Sequence, residues 1–386
     1  MHSLTVENYR RFINPHWVDA LQSLGQAPVF RRAKGAWLID EQGQEWLDLV
    51  CSNGASLFGH HHPVLDQALI ASLQSGLPAI SPLGVPALSA ELGAALVRLT
   101  GLDGYLSWLM STGAEALECA VKQALLWRGR RKLLCAEGGF HGLSTLMLGL
   151  NGNPFWQEGL EAIVPVQQAV SVGDLVRLEP LLRSREYAAI VIEPIQATGG
   201  GPFWSADTIA ALHQLCRDSE TLLIVDEVQT GAGRCGSFTA MQALDWPVLP
   251  DILILSKGLT GGLLPLSVCM SRPELFSAFF ARPGCAKAHG STYAGNAHAV
   301  AVALAAVQLW ETHPANPALA ELAEFHLSLP QRYPGAIAAS SARGGLHIIQ
   351  TCAPEIAYGL FQQLYAQHIL INPCMHAPTL SRYYLH

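Results

Sequence analysis

The chain has 386 residues, of which 50% are hydrophobic and 14% charged, and its formal net charge is −7. A chain of this length can bury a large core and favours two domains over one. The acid excess, with no basic block, argues against nucleic acid as the main partner.

From the N-terminus, Met1-His2-Ser3-Leu4-Thr5-Val6-Glu7 lacks the basic segment and apolar run of an export signal, so an unexported chain is expected. Gly35-Ala36-Trp37-Leu38-Ile39-Asp40 and Glu45-Trp46-Leu47-Asp48-Leu49 flank Glu41-Gln42-Gly43-Gln44, which reads as a hairpin turn. His60-His61-His62 invites a metal site. Three adjacent histidines point in different directions on any regular element, so a structural loop is the expectation. Thr112 and Glu115 are spaced as a capping box ahead of a helical pattern over 114–128. Leu133-Leu134-Cys135-Ala136, Ala189-Ile190-Val191-Ile192, Leu222-Leu223-Ile224-Val225 and Ile252-Leu253-Ile254-Leu255 are continuous apolar runs. Such runs suit strands buried on both faces of a parallel sheet. With a helical pattern between them at 206–218, they predict an α/β layered domain.

The longest apolar stretch, 299–310, is interrupted by Gln308 and falls short of the roughly 18 to 20 residues that cross a bilayer. No membrane association is expected. His313-Pro314-Ala315-Asn316-Pro317 breaks a helix, and a strand at Leu346-His347-Ile348-Ile349 and a helix over 355–367 follow. The two ends are expected to pack together as a small α+β domain, 1–55 with 313–386, beside a large domain over 56–312. The nine cysteines are odd in number and lack a Cys-x-x-Cys spacing. They predict a reducing cytoplasmic compartment and no metal site.

Three features carry chemistry. Only five lysines occur, and Lys257 stands between the run ending at Leu255 and Gly258, Gly261 and Gly262. A strand end followed by glycines is where α/β domains place ligands, and an imine to an aldehyde cofactor requires a lysine amine. Asp226 ends another run, where a partly desolvated carboxylate needs a cationic partner; a protonated pyridine nitrogen would supply one. Gly113 and Ala114, just inside the Thr112 cap, would expose free N–H groups to an anion.

These residues stand within motifs that resemble class III (ω) aminotransferases. Asp226-Glu227-Val228-Gln229-Thr230-Gly231, with Gly233-Arg234-Cys235-Gly236, resembles the family's D-E-V-Q-T-G-x-G-R-x-G, and Ser256-Lys257-Gly258-Leu259 follows at the family's spacing. Ser111-Thr112-Gly113-Ala114-Glu115-Ala116 is similar to its phosphate cup, and Phe140-His141-Gly142 to its aromatic-His-Gly segment. Glu193-Pro194-Ile195-Gln196, Ser291-Thr292-Tyr293-Ala294-Gly295-Asn296 and Gly59-His60-His61-His62-Pro63 match further family segments in order. The resemblance implies a fold type I transferase dependent on pyridoxal 5′-phosphate, with a mostly parallel central sheet. It implies that Lys257 forms the Schiff base and shuttles the proton. Asp226 would pair with the pyridine nitrogen, Val228 would lie beneath the ring and Gln229 beside its phenolic oxygen, with Phe140 on the opposite face. Ser111, Thr112, Gly113 and Ala114 would form the cup, His141 and Glu193 would support the ring, and Ser291 and Thr292 would serve the phosphate. Thr292 would reach the neighbouring site of a homodimer. The implied reaction is ping-pong amino transfer from an amine donor to a carbonyl acceptor.

The resemblance fades in Ser381-Arg382-Tyr383-Tyr384-Leu385-His386, near where a family arginine often binds a 2-oxo acid carboxylate. Arg343, in Arg343-Gly344-Gly345-Leu346, resembles a small-domain R-G-x-G-L. Ala197-Thr198 stand where a polar or acidic residue often follows the E-P-x-Q loop, and Asn53 where an aromatic gateway residue often sits. Phe155, Trp156, Phe203 and Trp204 are candidates for an apolar pocket. The same motifs also serve aminomutases and racemases. Gly231-Ala232-Gly233-Arg234-Cys235-Gly236 matches the dinucleotide pattern G-x-G-x-x-G, but five residues separate it from the apolar run, which disfavours a dehydrogenase. A non-catalytic scaffold would need neither Lys257, Asp226 nor the cup.

Overall fold

The computed structural model describes residues 4–25, 27–313, 317–374 and 376–385. A seven-stranded sheet lies at its centre. Its strands run in the order Leu106–Met110, Ser267–Ser271, Ile252–Leu255, Leu222–Asp226, Tyr187–Ile192, Lys132–Ala136 and Gln168–Val170. Ser267–Ser271 is antiparallel to both of its neighbours, and the remaining pairings are parallel.

The continuous apolar runs form these strands because both faces are covered. Every residue of Tyr187–Ile192 is buried. Alternate residues go to opposite faces. Ile190, Ile192, Leu223, Val225, Leu253 and Leu255 pack with Leu178, Leu182, Ile209, Leu212, Val300 and Ala303 from the helices Leu175–Arg183, Ala206–Ser219 and Ala297–Thr312. Ala189, Val191, Leu222, Ile224, Ile252 and Ile254 pack on the other face with Leu117, Ala120, Val121 and Ala124 of the helix Gly113–Arg128. Each large apolar side chain buried this way stabilises the fold by about 1.5–3 kcal/mol.

Two smaller sheets flank the layers. Phe30–Lys34, Trp37–Asp40 and Glu45–Asp48 form antiparallel pairs, and Ile369–Leu370 joins Glu45–Asp48 in parallel. Both ends of the chain thus share one sheet. The foreseen hairpin turn is held by Asp40, whose Oδ1 accepts from Gln42 N–H (3.0 Å) and Gln44 N–H (2.9 Å). The other sheet runs Ile337–Arg343, Leu346–Thr351, Leu380–Tyr384, Asn372–Pro373. The helix Ala297–Thr312 stops before the foreseen break, of which residues 314–316 lie outside the described residues.

Arg234 ties these parts together. Its guanidinium is buried, and it donates to Leu385 O (2.6 Å) and Gly54 O (3.1 Å). Gly233, two residues after Gly231, lies so close to Trp310 that a β-carbon would come within 2.4 Å of its ring. The glycine-rich stretch 231–236 is therefore a clasped loop. It does not open a helix, as a dinucleotide turn would.

Candidate active site

The site residues emerge from the carboxyl ends of the parallel strands. Met110 leads into Ser111 and Thr112, Ala136 into the loop with Phe140 and His141, and Ile192 into Glu193. Asp226 ends its own strand, and Leu255 leads through Ser256 to Lys257. The residues come together because the sheet aligns these ends, the usual place for a ligand in an open α/β fold.

Lys257 is half-buried and has a left-handed φ of 46°. Such a backbone is strained for a non-glycine residue and is found where surroundings force it. Its Nζ donates to Gln229 Oε1. Burial and the nearby Arg382 charge lower its pKa to about 8, against the opposing pull of Asp226 and Glu193. An amine so close to neutrality keeps a usable unprotonated fraction, as a nucleophile and base needs.

Asp226 and His141 are both buried, with His141 Nδ1 2.8 Å from Asp226 Oδ2. Val228 N–H donates to the other carboxylate oxygen at 2.9 Å. Burial opposes a charge on His141, but the Asp226 hydrogen bond and its charge prevail and raise its pKa. His141 is held by its own backbone N–H, which donates to Asn151 Oδ1 at 2.6 Å. Glu193 accepts from Phe140 N–H at 3.0 Å, and burial beside Asp226 raises its pKa to about 7.

The foreseen capping box is present. Glu115 N–H donates to Thr112 Oγ1 at 3.2 Å, and Glu115 Oε2 accepts from the N–H groups of Ser111 and Thr112 at 2.8 and 3.2 Å. Those bonds leave the N–H groups of Gly113 and Ala114 at the start of a 16-residue helix for an anion. Gly113 is needed there: a β-carbon would lie 2.9 Å from Val228 Cγ2. Val228 is thereby seated between the cup and Asp226. Ser291 Oγ lies 3.1 Å from Ser111 Oγ, and Thr292 is exposed.

The four candidate aromatics separate. Trp156 packs on Phe140 (5.2 Å between centroids), Phe155 and His376. Phe155 and Trp156 therefore extend the wall that begins at Phe140. Trp204 is core, with 1% exposure. Phe203 lies under the Arg343 guanidinium, 5.1 Å from its ring centre, so Arg343 is occupied with a ring. The three adjacent histidines also disperse: His60 bonds Asp48 at 2.7 Å and His61 bonds Asp66 at 3.1 Å.

Sequence reasoning left Arg382 at the edge of the site and missed Tyr384. Arg382 acts electrostatically on Lys257 and sits beside Tyr384. Tyr384 has 0% exposure, and a β-carbon on Gly54 would lie 2.9 Å from its ring and 2.2 Å from Gln229 Nε2. The available signal was alternation: Arg382 and Tyr384, two apart on one strand, share a face. Cys51, Ser52, Asn53 and Gly54 all have positive φ, and Asn53 Oδ1 accepts from Asn372 Nδ2 at 2.8 Å. This left-handed turn was not legible from residue types, because only one of the four is glycine.

Comparisons with known proteins agree with this geometry. Residues 22–329 match the family model described as Aminotransferase class-III. The acetylornithine aminotransferase of Aquifex aeolicus (strain VF5) is 36% identical over 282 residues, covering 72% of each chain. The putrescine aminotransferase of Pectobacterium atrosepticum is 31% identical over 383 residues, covering 94% of this chain and 80% of the relative. The ornithine aminotransferase of Toxoplasma gondii, solved with partial occupancy of PLP at its active site, superposes with a TM-score of 0.81. It is 27% identical, over 99% of this chain and 93% of that one. The family-model match over most of the chain and these relatives place the chain in the class III aminotransferase family.

Proposed function

We propose that this chain transfers an amino group from an amine or amino acid donor to a 2-oxo acid or aldehyde by a ping-pong mechanism, with pyridoxal phosphate as cofactor. The observation that carries the reading is the convergence of Lys257, Asp226 and the free N–H groups of Gly113 and Ala114 at neighbouring strand ends. The residues fit the cofactor. Lys257 Nζ would hold its aldehyde carbon, Asp226 its ring nitrogen, and Gly113 and Ala114 its phosphate. Val228 and Phe140 would take the two ring faces, and Gln229 Nε2, which has no partner among the described residues, the phenolic oxygen. Bound there, the cofactor supplies an electron sink.

The side chains do the rest. Lys257 takes a proton from the substrate carbon and holds it for return; its lowered pKa suits that exchange. His141, anchored by Asn151, keeps the Asp226 carboxylate aimed into the cleft. Arg382 meets no carboxylate among the described residues. A guanidinium in that position is available to a substrate carboxylate, so we assign Arg382 as the carboxylate anchor. The relatives' names, acetylornithine, putrescine and diaminobutyrate, point to donors bearing a terminal primary amine.

A homodimer is part of this proposal, with Thr292 serving the neighbouring phosphate. It is supported by the exposed Leu83, Val85 and Tyr293 and by a cavity of about 1340 Å³ bordered by Val85, Ser291 and Thr292. The division into 1–55, 56–312 and 313–386 is supported by the strand Ile369–Leu370 joining the N-terminal sheet. Among the described residues no helix is long and apolar enough to cross a membrane, and no disulfide joins any of the nine cysteines. The lack of disulfides supports a reducing, cytoplasmic setting. The test is a visible absorbance titration of the loaded enzyme, one amine at a time. A donor bleaches the band near the cofactor's long-wavelength maximum and releases a carbonyl product. An isomerised product with no acceptor requirement would instead make the chain a mutase or racemase.

A further inference from the structure

Gln229 Nε2, Arg382 Nε and the Tyr384 hydroxyl are buried polar atoms that find no acceptor among the described residues; the Arg382 side chain reaches the Tyr384 oxygen as a donor, which leaves the phenol proton without a partner. The first two are donors only. Tyr384 is the third, because burial raises its pKa against the pull of Arg382 and Arg234 and so keeps its hydroxyl protonated. Gln229 and Tyr384 both close on Gly54, and Arg382 lies beside Tyr384; buried donors gathered in this way call for an acceptor-rich ligand. A carboxylate, with about four lone-pair sites, is the matching group.

Tyr384 cannot turn away. Its backbone N–H donates to Leu49 O at 2.8 Å. The Arg234 guanidinium lies over its ring at 5.4 Å, and Gly54 closes on the ring from the other segment. Strand alternation sends Tyr383 to the opposite face, where its hydroxyl lies 2.6 Å from His326 Nδ1. Leu380 and Tyr384 share the face of Arg382 on the strand Leu380–Tyr384, and of the two only Tyr384 carries a polar group.

We propose that Tyr384 is a specificity-determining residue whose hydroxyl donates to the substrate carboxylate held by Arg382. The proposal rests on the assignment of Arg382 as the carboxylate anchor. Gln229 Nε2 is left to the cofactor, and the Arg382 fork and the Tyr384 hydroxyl together form the carboxylate subsite. An unpartnered buried hydroxyl costs free energy in the empty chain, and a bound carboxylate relieves that cost. Substrates that lack the carboxylate gain nothing from Tyr384.

The test is calorimetric titration of the enzyme loaded with pyridoxal phosphate, using the nonreactive carboxylates propionate and glutarate. The parent, Tyr384→Phe and Arg382→Gln are compared, with thermal midpoints of all three. Tyr384→Phe is expected to bind the carboxylates about 10-fold more weakly, with a midpoint no lower than the parent's. KM for 2-oxobutyrate should rise in parallel, while KM for propanal, the same carbonyl compound without the carboxylate, stays unchanged. If Arg382→Gln loses binding and Tyr384→Phe binds as tightly as the parent, the Tyr384 assignment falls and the Arg382 anchor stands. If neither substitution weakens binding, both assignments fall. A KM rise of equal size for propanal also overturns the carboxylate role.

Discussion

Gly113→Ala probes the cup with a single methyl group. The added carbon would lie 2.9 Å from Val228 Cγ2 and 3.1 Å from Cγ1, where relaxed carbon contacts need about 3.5–4.0 Å. Val228 cannot retreat as a unit, since its N–H is bonded to Asp226 Oδ1 at 2.9 Å. Its branched side chain must therefore leave its preferred rotamer. Overpacking of this kind costs about 1–3 kcal/mol, and Val228 is the residue proposed to carry the cofactor ring. If that cost falls on the bound state, the cofactor Kd rises about 5- to 150-fold. The assay is a visible absorbance titration of the cofactor-free chain with pyridoxal phosphate. Val228→Ala, made in the Gly113→Ala background, removes both clashing methyls and should recover most of the loss, which a double-mutant cycle measures directly. Unchanged affinity and unchanged thermal midpoint in Gly113→Ala would refute the account of Val228 as a seat locked by the cup.

Further outcomes follow from the buried polar groups. Asn151→Ala removes the acceptor of His141 N–H and the donor to Gly142 O; a loss of about 2–4 kcal/mol should appear as a lower thermal midpoint and weaker cofactor binding. Gly152→Ala would set a β-carbon 2.2 Å from Ala136 O, at the end of the strand that leads to Phe140, and should lower expression of folded protein or the thermal midpoint more than Gly335→Ala, where nothing stands nearby and the backbone is not left-handed. His347 is buried against Tyr383, and burial with the neighbouring His326 lowers its pKa from 6.5 to about 4. A histidine depressed in the folded state supports stability fully above its unfolded pKa, and that support is lost as pH falls through the window from 6.5 to 4. The loss is on the order of 3 kcal/mol. In acid-unfolding curves His347→Phe should flatten that limb; an unchanged limb would contradict it.

Much of the fold was legible because burial and pattern agree. The runs at 133–136, 189–192, 222–225 and 252–255 became strands, since side chains apolar at every position have nowhere to go but a sheet covered on both faces. The strand Ser267–Ser271 was not foreseen, because Ser267 and Ser271 interrupt its apolar pattern even though all five residues are buried. Gln168–Val170 was too short to register. At the site, Lys257, Asp226 and the Thr112 cap announced themselves through local neighbours. The Asp226–His141 contact joins residues 85 apart, and Tyr384 reaches Gly54 and Gln229 only through the folding of the C-terminal strand. Such contacts depend on tertiary register, which residue types alone do not carry.

The central claim is that the Lys257 amine holds the cofactor. Loading the protein with pyridoxal phosphate, reducing it with borohydride and mapping the tryptic peptides by mass tests this directly. The account predicts the cofactor's mass on the peptide containing Lys257 and no visible band in Lys257→Ala. A label on Lys34, Lys122, Lys132 or Lys287 instead, or a band that survives in Lys257→Ala, would contradict it.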